Sequence, residues 1–593
     1  MLIFTIPLAT ALIYITHSAF SFLSNLHVVC KTCSSLPRVL FPVSEANLLY
    51  IALFESRWFN HIRRQWLPTG IADYIADGAF RGRWDVKDRL ARKYGGVYHS
   101  VTPGLISCHV GDAEVASQVV KERRGFVKPV KHLEAFEMYG PNVFTSEGSE
   151  WAYHHRHSAA AFNDKNNGLV WQESAIQAQE MTAYWEKTFN TSKGADQFIV
   201  PDLREDILKL SLNIICSAGF GVGLPYRPAT SATAHNDKDS AEDLFRDAAT
   251  PALGYHFTFC GVMKYMNRSM MTVFVANGLL PKFAAHEDLN RYLHALIEVT
   301  EHSEHEKHNL LGRLVAARRE EQSARSSGSG PGLSNAEILG NTYIFSFAGH
   351  ETTATTMRFA LPLLAIHQQV QDRLYAELEE ALRDQPADPA EWGYSTVFPR
   401  LVTPLCVMLE TLRLYPPVVS IPKLTTTHMA EITYKGERHC LPPNVRVNLN
   451  ANALHYSEAY WGPDADNFDP RRWDKRNADS FLARNTNSGL SGPGLESPNI
   501  HKPVRGAFIP FSDGLRACMG RKFAQVEFIA TLAVIFHRFR VTLVRVGQET
   551  EEDAKKRVEK ALRESSTSLT LALGGVVPLA FARRTGEAAE GDA

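Results

Sequence analysis

Ten residues near the end of the chain carry its clearest chemistry: Phe511-Ser512-Asp513-Gly514-Leu515-Arg516-Ala517-Cys518-Met519-Gly520. A single cysteine lies in a loop punctuated by glycines, with a basic residue two positions before the sulfur. An apolar run from Phe523 to Phe539 follows. The pattern reads as a loop that presents a thiolate and then enters a buried helix. Arg516, N–H groups freed at the glycine turns and the helix N-terminus all favour the anion, and bound iron would favour it further. Phe511 can keep water off the sulfur. A lone cysteine is usually a small buried apolar residue. Here, however, Phe511, Gly514, Arg516, Cys518 and Gly520 at this spacing have a chance probability on the order of 10⁻⁴ at average composition.

Two further groups point to chemistry. Ala348-Gly349-His350-Glu351-Thr352-Thr353 puts an acid and two hydroxyls into an otherwise apolar helix. A buried acid is costly without a partner, and a threonine that bonds back to a carbonyl one turn earlier bends a helix. Gly349, lacking a side chain, would let a small ligand approach the backbone. Farther on, Glu410 and Arg413 are three apart and share a helix face that ends at Pro416-Pro417. Their apolar surroundings argue for burial, where removing one partner costs about 3–5 kcal/mol.

The cysteine loop resembles the haem-binding loop of the cytochrome P-450 family, and the other motifs follow in family order over about residues 66 to 582. The resemblance implies a mainly α fold, one large helical domain with small β-sheets. It implies haem b as cofactor, with Cys518 as axial ligand of the iron and Phe511, Gly514 and Arg516 building its loop. Thr352 would hold the hydrogen-bond network around dioxygen, and Glu351 would pass protons toward it. Phe468-Asp469-Pro470-Arg471-Arg472-Trp473 resembles the segment whose arginine joins the Glu410–Arg413 pair, here Arg472; Arg471 replaces the usual acid. Trp151 matches a tryptophan that binds a haem propionate. The arginine expected four positions later is His155, with Arg156 one step on, about 100° around a helix. Trp151 with His155 is the favoured propionate pair, and Lys423 is a further candidate. The histidines around it read as a solvated face rather than a zinc site.

By this resemblance the chain is a haem-thiolate monooxygenase. It would take O₂, a small apolar substrate, and electrons from a separate NADPH-dependent reductase, for which Arg521 and Lys522 are candidate docking charges. A haem-thiolate isomerase, dehydratase or peroxygenase is the alternative reaction, and the acid–threonine pair argues against it. The Asn-, Ser-, Gly- and Pro-rich stretch from Asp474 to Gly506 resembles insertions of fungal members and points to secondary metabolism. Xenobiotic or fatty-acid oxidation is the other substrate reading.

The elements around these motifs are legible in outline. Leu2 to Phe22 has no Asp, Glu, Lys or Arg, and about 20 apolar residues cross a bilayer core. A single-pass anchor over 1–23 is therefore expected, followed by a membrane-proximal linker over 24–65. Lys31 and Arg38 come first among the positive charges and place the domain on the cytosolic side of the endoplasmic reticulum membrane. Leu48 to Phe54 is too short to span. A helix is expected over Asp85–Tyr94, a hairpin over Val97–Val101 and Ile106–Val110, and a helix from Trp151 to Phe162. Polar Glu320 to Gly332 reads as a loop, before a capping box at Ser334 and Glu337. Strands are expected at Ile432–Lys435 and Val445–Leu449. A C-terminal hairpin around Gly574-Gly575 and a solvated tail over 583–593 complete the chain. Lys and Arg number 63 against 64 Asp and Glu in 593 residues, a net charge of -1 that offers no basic field for nucleic acid. Eight scattered cysteines form no disulfide framework, and the Cys30–Cys33 pair reads as incidental.

Overall fold

A computed structural model of the chain describes residues 2–32, 35–41, 66–68, 84–190, 196–226, 281–302, 309–325, 333–484, 497–567 and 570–584. The apolar run at 48–54 and the tail from 585 onward lie outside these residues.

Helix α1 (Leu2–Thr32) is longer than the expected anchor. Its last turns dock on the domain: Val29 is fully buried, and Phe22 and Leu26 pack beside it. Asn25 Nδ2 donates to Thr102 O at 2.9 Å, and Ser21 bonds Pro103 O. Residues 24–32 are thus helical rather than linker, and β1 (Arg38–Leu40) joins a sheet. Among the described residues no helix is long and apolar enough to cross a membrane.

The expected hairpin forms as β2 (Val97–Val101) and β3 (Ile106–Val110), paired from Val97↔Val110 to Val101↔Ile106. With β4 (Phe126–Val127), β6 (Ser420–Thr425) and β9 (Arg446–Asn450) they make a six-stranded sheet in the order β1-β2-β3-β9-β6-β4, while β7 (Ala430–Tyr434) and β8 (Glu437–Leu441) pair with each other. All of β2 is buried, because one apolar cluster covers one face and a second, around Val39, Leu90 and Tyr98, covers the other. The helix expected over 85–94 is shorter, α2 (Arg89–Tyr94), after a 3₁₀ turn at Trp84–Val86.

The larger core is helical. It joins α4 (Gly148–Ala159), α5 (Asp164–Phe189), α6 (Arg204–Ile214), α9 (Asn335–Ile366), α11 (Val402–Leu414) and α12 (Arg521–Arg538); α3 (Ala113–Lys121) belongs to the sheet side. Helices α7 (Pro281–His302), α8 (Leu310–Arg325) and α10 (Gln368–Leu382) pack around it. Helix α8 continues to Arg325, so residues 320–325, expected in a loop, are helical; the rest of that expected loop lies outside the described residues. In α9, Ser334 Oγ accepts from Glu337 N while Glu337 Oε2 accepts from Ser334 N, a complete capping box. At about 1.5 Å per residue its 32 residues span about 48 Å.

The expected C-terminal hairpin does not form. β12 (Leu571–Ala572) pairs with β11 (Ser566–Thr567), while β13 (Leu579–Arg583) lies between β10 (Phe539–Leu543) and β5 (Gln197–Val200). Gly574 explains the separation. Its N–H donates to Ala561 O at the end of α13 (Glu551–Arg563), and a Cβ there would lie 2.6 Å from the Glu564 backbone. The glycine docks the chain on a helix instead of reversing it.

Candidate active site

The cysteine loop is fixed by its own backbone. Cys518 N–H donates to Phe511 O at 2.8 Å and Ser512 N–H to Ile509 O at 3.0 Å. Gly514 has φ +68°, and a Cβ there would lie 2.8 Å from Val120 O, so only glycine lets the loop lie against α3. Solvent reaches Cys518, but the surrounding protein removes enough water to raise its thiol pKa. The Gly520 N–H and the Arg521 guanidinium act against that rise.

Arg516, expected to support the sulfur, turns elsewhere. It pairs with Glu147 Oε1 at 2.8 Å, donates to Ser146 O at 2.9 Å, and lies 4.2 Å from the Trp151 ring centroid. The cation near the sulfur is Arg521, which is buried and 5.7 Å from the Phe511 ring centroid. Arg521 is therefore no docking charge. Lys522 is half-buried over the Phe398 ring.

Around Arg516 the structure gathers Lys128, Lys423, Glu147, Trp151 and His155. The Trp151 and His155 rings are 4.8 Å apart, whereas Arg156 is exposed and leans toward Tyr153. Burial, then Arg516, lowers the His155 pKa and favours the neutral ring. Burial also lowers Lys423, and Arg516 lowers it further. Lys128 is pushed well down by burial, then by Arg516 and Lys423, with Glu147 opposing. Three cations thus share one carboxylate. Glu147 is itself held low: burial raises it, but Arg516 and the Lys128 N–H outweigh that. The sequence reading missed Lys128 and Glu147. A lysine after a two-residue strand carries no local signal; Glu147, as the N-cap of α4, carries a weak one.

On α9, Ala348 is exposed although most of that helix is buried, and Thr352 Oγ1 donates to Ala348 O at 2.9 Å. Glu351 is half-buried; its Oε1 accepts from Thr570 Oγ1 at 3.0 Å, and Oε2 lies 4.0 Å from His350 Nε2. Burial lowers the His350 pKa, with Glu351 opposing. Gly349 does not open toward a ligand. Its missing side chain is replaced by Ile215, 3.3 Å from where a Cβ would lie.

The charge scaffold assembles fully. Glu410 accepts from Arg413 Nε and Nη2 at 2.9 and 2.8 Å, Arg472 Nε at 3.0 Å, Trp473 Nε1 at 2.9 Å and Asp469 N at 3.0 Å. Burial alone would raise Glu410, but Arg413 and then Arg472 hold it down to about 2. His455, also missed, ties this scaffold to the loop. Its Nδ1 bonds Arg413 O at 3.1 Å and its Nε2 accepts from Ile509 N at 3.0 Å. Burial lowers its pKa to about 3, which keeps the ring neutral and able to bridge.

The cytochrome P450 family profile matches residues 79–570. The chain belongs to the cytochrome P450 family. It is 30% identical over 582 residues to a cytochrome P450 monooxygenase of Arthrobotrys oligospora, covering 94% of this chain and 95% of that one. It is 30% identical to the monooxygenase prx9 of Penicillium rubens, covering 93% of each. At 24% identity it also matches the phomenoic acid biosynthesis cluster cytochrome P450 monooxygenase of Leptosphaeria maculans, over 96% of each chain. Among solved structures, the haem domain of cytochrome P450DA superposes with a TM-score of 0.61 at 22% identity, covering 84% of this chain and 92% of that one. The protein is thus a P450 monooxygenase, an oxidoreductase of a haem-iron family.

The residues present fit that group. A cysteine reached by solvent can ligate iron, and binding would deprotonate it despite the raised thiol pKa. Three crowded cations with one carboxylate can neutralise an anionic edge.

Proposed function

We propose that this P450 takes haem b, with Cys518 as its axial ligand, and oxidises a small apolar substrate: R–H + O₂ + NADPH + H⁺ → R–OH + H₂O + NADP⁺. When bound, the haem would supply the dioxygen chemistry. The cation surplus beside a solvent-reached thiol carries the reading. Arg516, Lys128 and Lys423 would bind the haem propionates, with Trp151 and neutral His155 alongside. Phe511 would keep water off the sulfur, and the Glu410–Arg413–Arg472 scaffold, through His455, would hold the loop in place. Thr352 would offer a hydroxyl for hydrogen bonding in the pocket, and Glu351, held by Thr570, would exchange protons there. The two electrons would come from a separate NADPH-dependent reductase. Helix α1, apolar through residue 22, would tether the domain to the endoplasmic reticulum membrane. Similarity to the phomenoic acid cluster protein supports a role in secondary metabolism.

The test is spectroscopic and catalytic. Purified protein should show a Soret band and the reduced carbon monoxide signature of a thiolate, and Cys518→Ser should remove that signature. Its persistence in Cys518→Ser would exclude this cysteine. Product formation with reductase, NADPH and O₂ should cease when any one is omitted; turnover supported by peroxide alone would replace the reading with a peroxygenase.

A further inference from the structure

Ile215 begins a π-helical turn, Ile215–Gly219, that continues α6, and its side chain is almost wholly buried. Such turns shift the phase of a helix and often mark functional sites. Here the shifted residue is wedged between two glycines on different elements. A Cβ on Gly219 would lie 3.0 Å from Ile215 Cδ1, and one on Gly349 would lie 3.3 Å from both Cδ1 and Cγ1. Helices α6 and α9 pack along this seam. The contact falls in the turn of α9 where hydroxyls bond back to backbone. Thr352 Oγ1 donates to Ala348 O at 2.9 Å, and Thr353 Oγ1 to Gly349 O at 3.3 Å. These two carbonyls belong to the residue that Ile215 presses and to its neighbour.

We propose that Ile215 is a positioning residue for Thr352: by filling the space of the missing Gly349 side chain, it fixes the Ala348–Gly349 backbone that receives the Thr352 hydroxyl. The physical basis is close packing, in which a displaced contact moves the backbone rather than being absorbed locally. An added methyl at Gly349 must push Ile215 or α9 itself. Ile215 is almost wholly buried and has little room to retreat, so part of the displacement falls on α9. The proposal rests on the role of Thr352 given above, and its test separates the two.

The test uses full-length holoprotein with reductase, reading peroxide formed per NADPH consumed alongside haem content and the carbon monoxide spectrum. Thr352→Ala is the control for the underlying reading and should raise the peroxide fraction several-fold. Gly349→Ala should do the same with haem content and thiolate signature intact. Ile215→Ala removes Cγ1, Cγ2 and Cδ1 and leaves only Cβ, 3.8 Å from the added methyl, an ordinary contact. Gly349→Ala/Ile215→Ala should therefore return the peroxide fraction to within about twofold of wild type, since repacked partners are non-additive. A double variant as leaky as Gly349→Ala overturns the proposal, as does a Gly349→Ala variant that couples normally. If Thr352→Ala couples normally, the threonine role itself falls. Should Gly349→Ala fail to fold, recovery of folded, haem-retaining protein in the double variant supports the wedge, and no recovery overturns it.

Discussion

Around Glu410, two buried arginines face two carboxylates, Glu410 and Asp464, and all five N–H donors of Arg413 are used. Around Arg516, Lys128 and Lys423 join that arginine beside a single carboxylate, Glu147. Among the described residues neither lysine has an ion-pair partner. One cluster is balanced within the protein, whereas the other sets three basic side chains, two of them lysines whose charged form burial disfavours, against one carboxylate. A balanced buried network holds the fold in one arrangement. A surplus costs the ligand-free protein stability and is relieved when an anion arrives. We propose on this ground that the first cluster is scaffold and the second a binding site, a distinction drawn by counting charges rather than by resemblance.

The largest test is to break the balance. Glu410→Gln leaves Arg413 and Arg472 buried without their carboxylate, and should cost about 3–5 kcal/mol. That is a large part of a typical domain's stability, so little haem-retaining protein should be recovered and the urea midpoint should fall. A variant of near wild-type midpoint would show the scaffold to be dispensable.

Acid probes the same cluster without mutation. Glu410 sits at about 2 in the folded protein against about 4.3 unfolded. Its contribution is present above the unfolded value and lost as pH falls through the folded one. Between about pH 5 and pH 1 stability should drop by about 3 kcal/mol from this group, and the slope should be missing in Glu410→Gln. For Lys128 and Lys423 the folded values are lowered, so in alkali the unfolded state holds more protons. Stability of the ligand-free protein should then rise with pH until the unfolded lysine value near 10.4 is passed.

The smallest effect carries the sharpest contrast. Lys128→Met and Lys423→Met should each leave ligand-free stability within about 1 kcal/mol of wild type, while haem dissociation, followed by transfer to an acceptor protein, speeds up about tenfold for the loss of one charge-assisted bond. Losses of stability as large as that of Glu410→Gln would erase the difference between the clusters.

Most of what was legible beforehand lies close together in sequence. Glu410 and Arg413 share a helix face, and Ser334 and Glu337 close a capping box. The cysteine loop is set by Gly514 and by a bond between Phe511 and Cys518. Such features depend on spacing and backbone geometry over a few residues, which sequence states directly. Arg472 was also legible, because its segment has a recognisable pattern of its own.

What sequence left open depends on which distant surfaces meet. Arg516 stands two residues from the sulfur, yet it turns to Glu147 because another chain segment places a carboxylate there. Lys128 has no distinguishing neighbours in sequence and acquires meaning only beside Lys423 and Arg516. Gly574-Gly575 has the composition of a hairpin turn, but docking of Gly574 on α13 sends its flanking strands to different sheets. Gly349 looked like an opening for a ligand and is closed by Ile215 from another helix. The sequence by itself determined the family, the loop that offers Cys518 and the local pairs, since these are fixed by residue type and spacing. Only the tertiary structure decided where each charge finds its counter-charge and what fills each glycine's empty side, because burial and close packing are properties of the assembled chain.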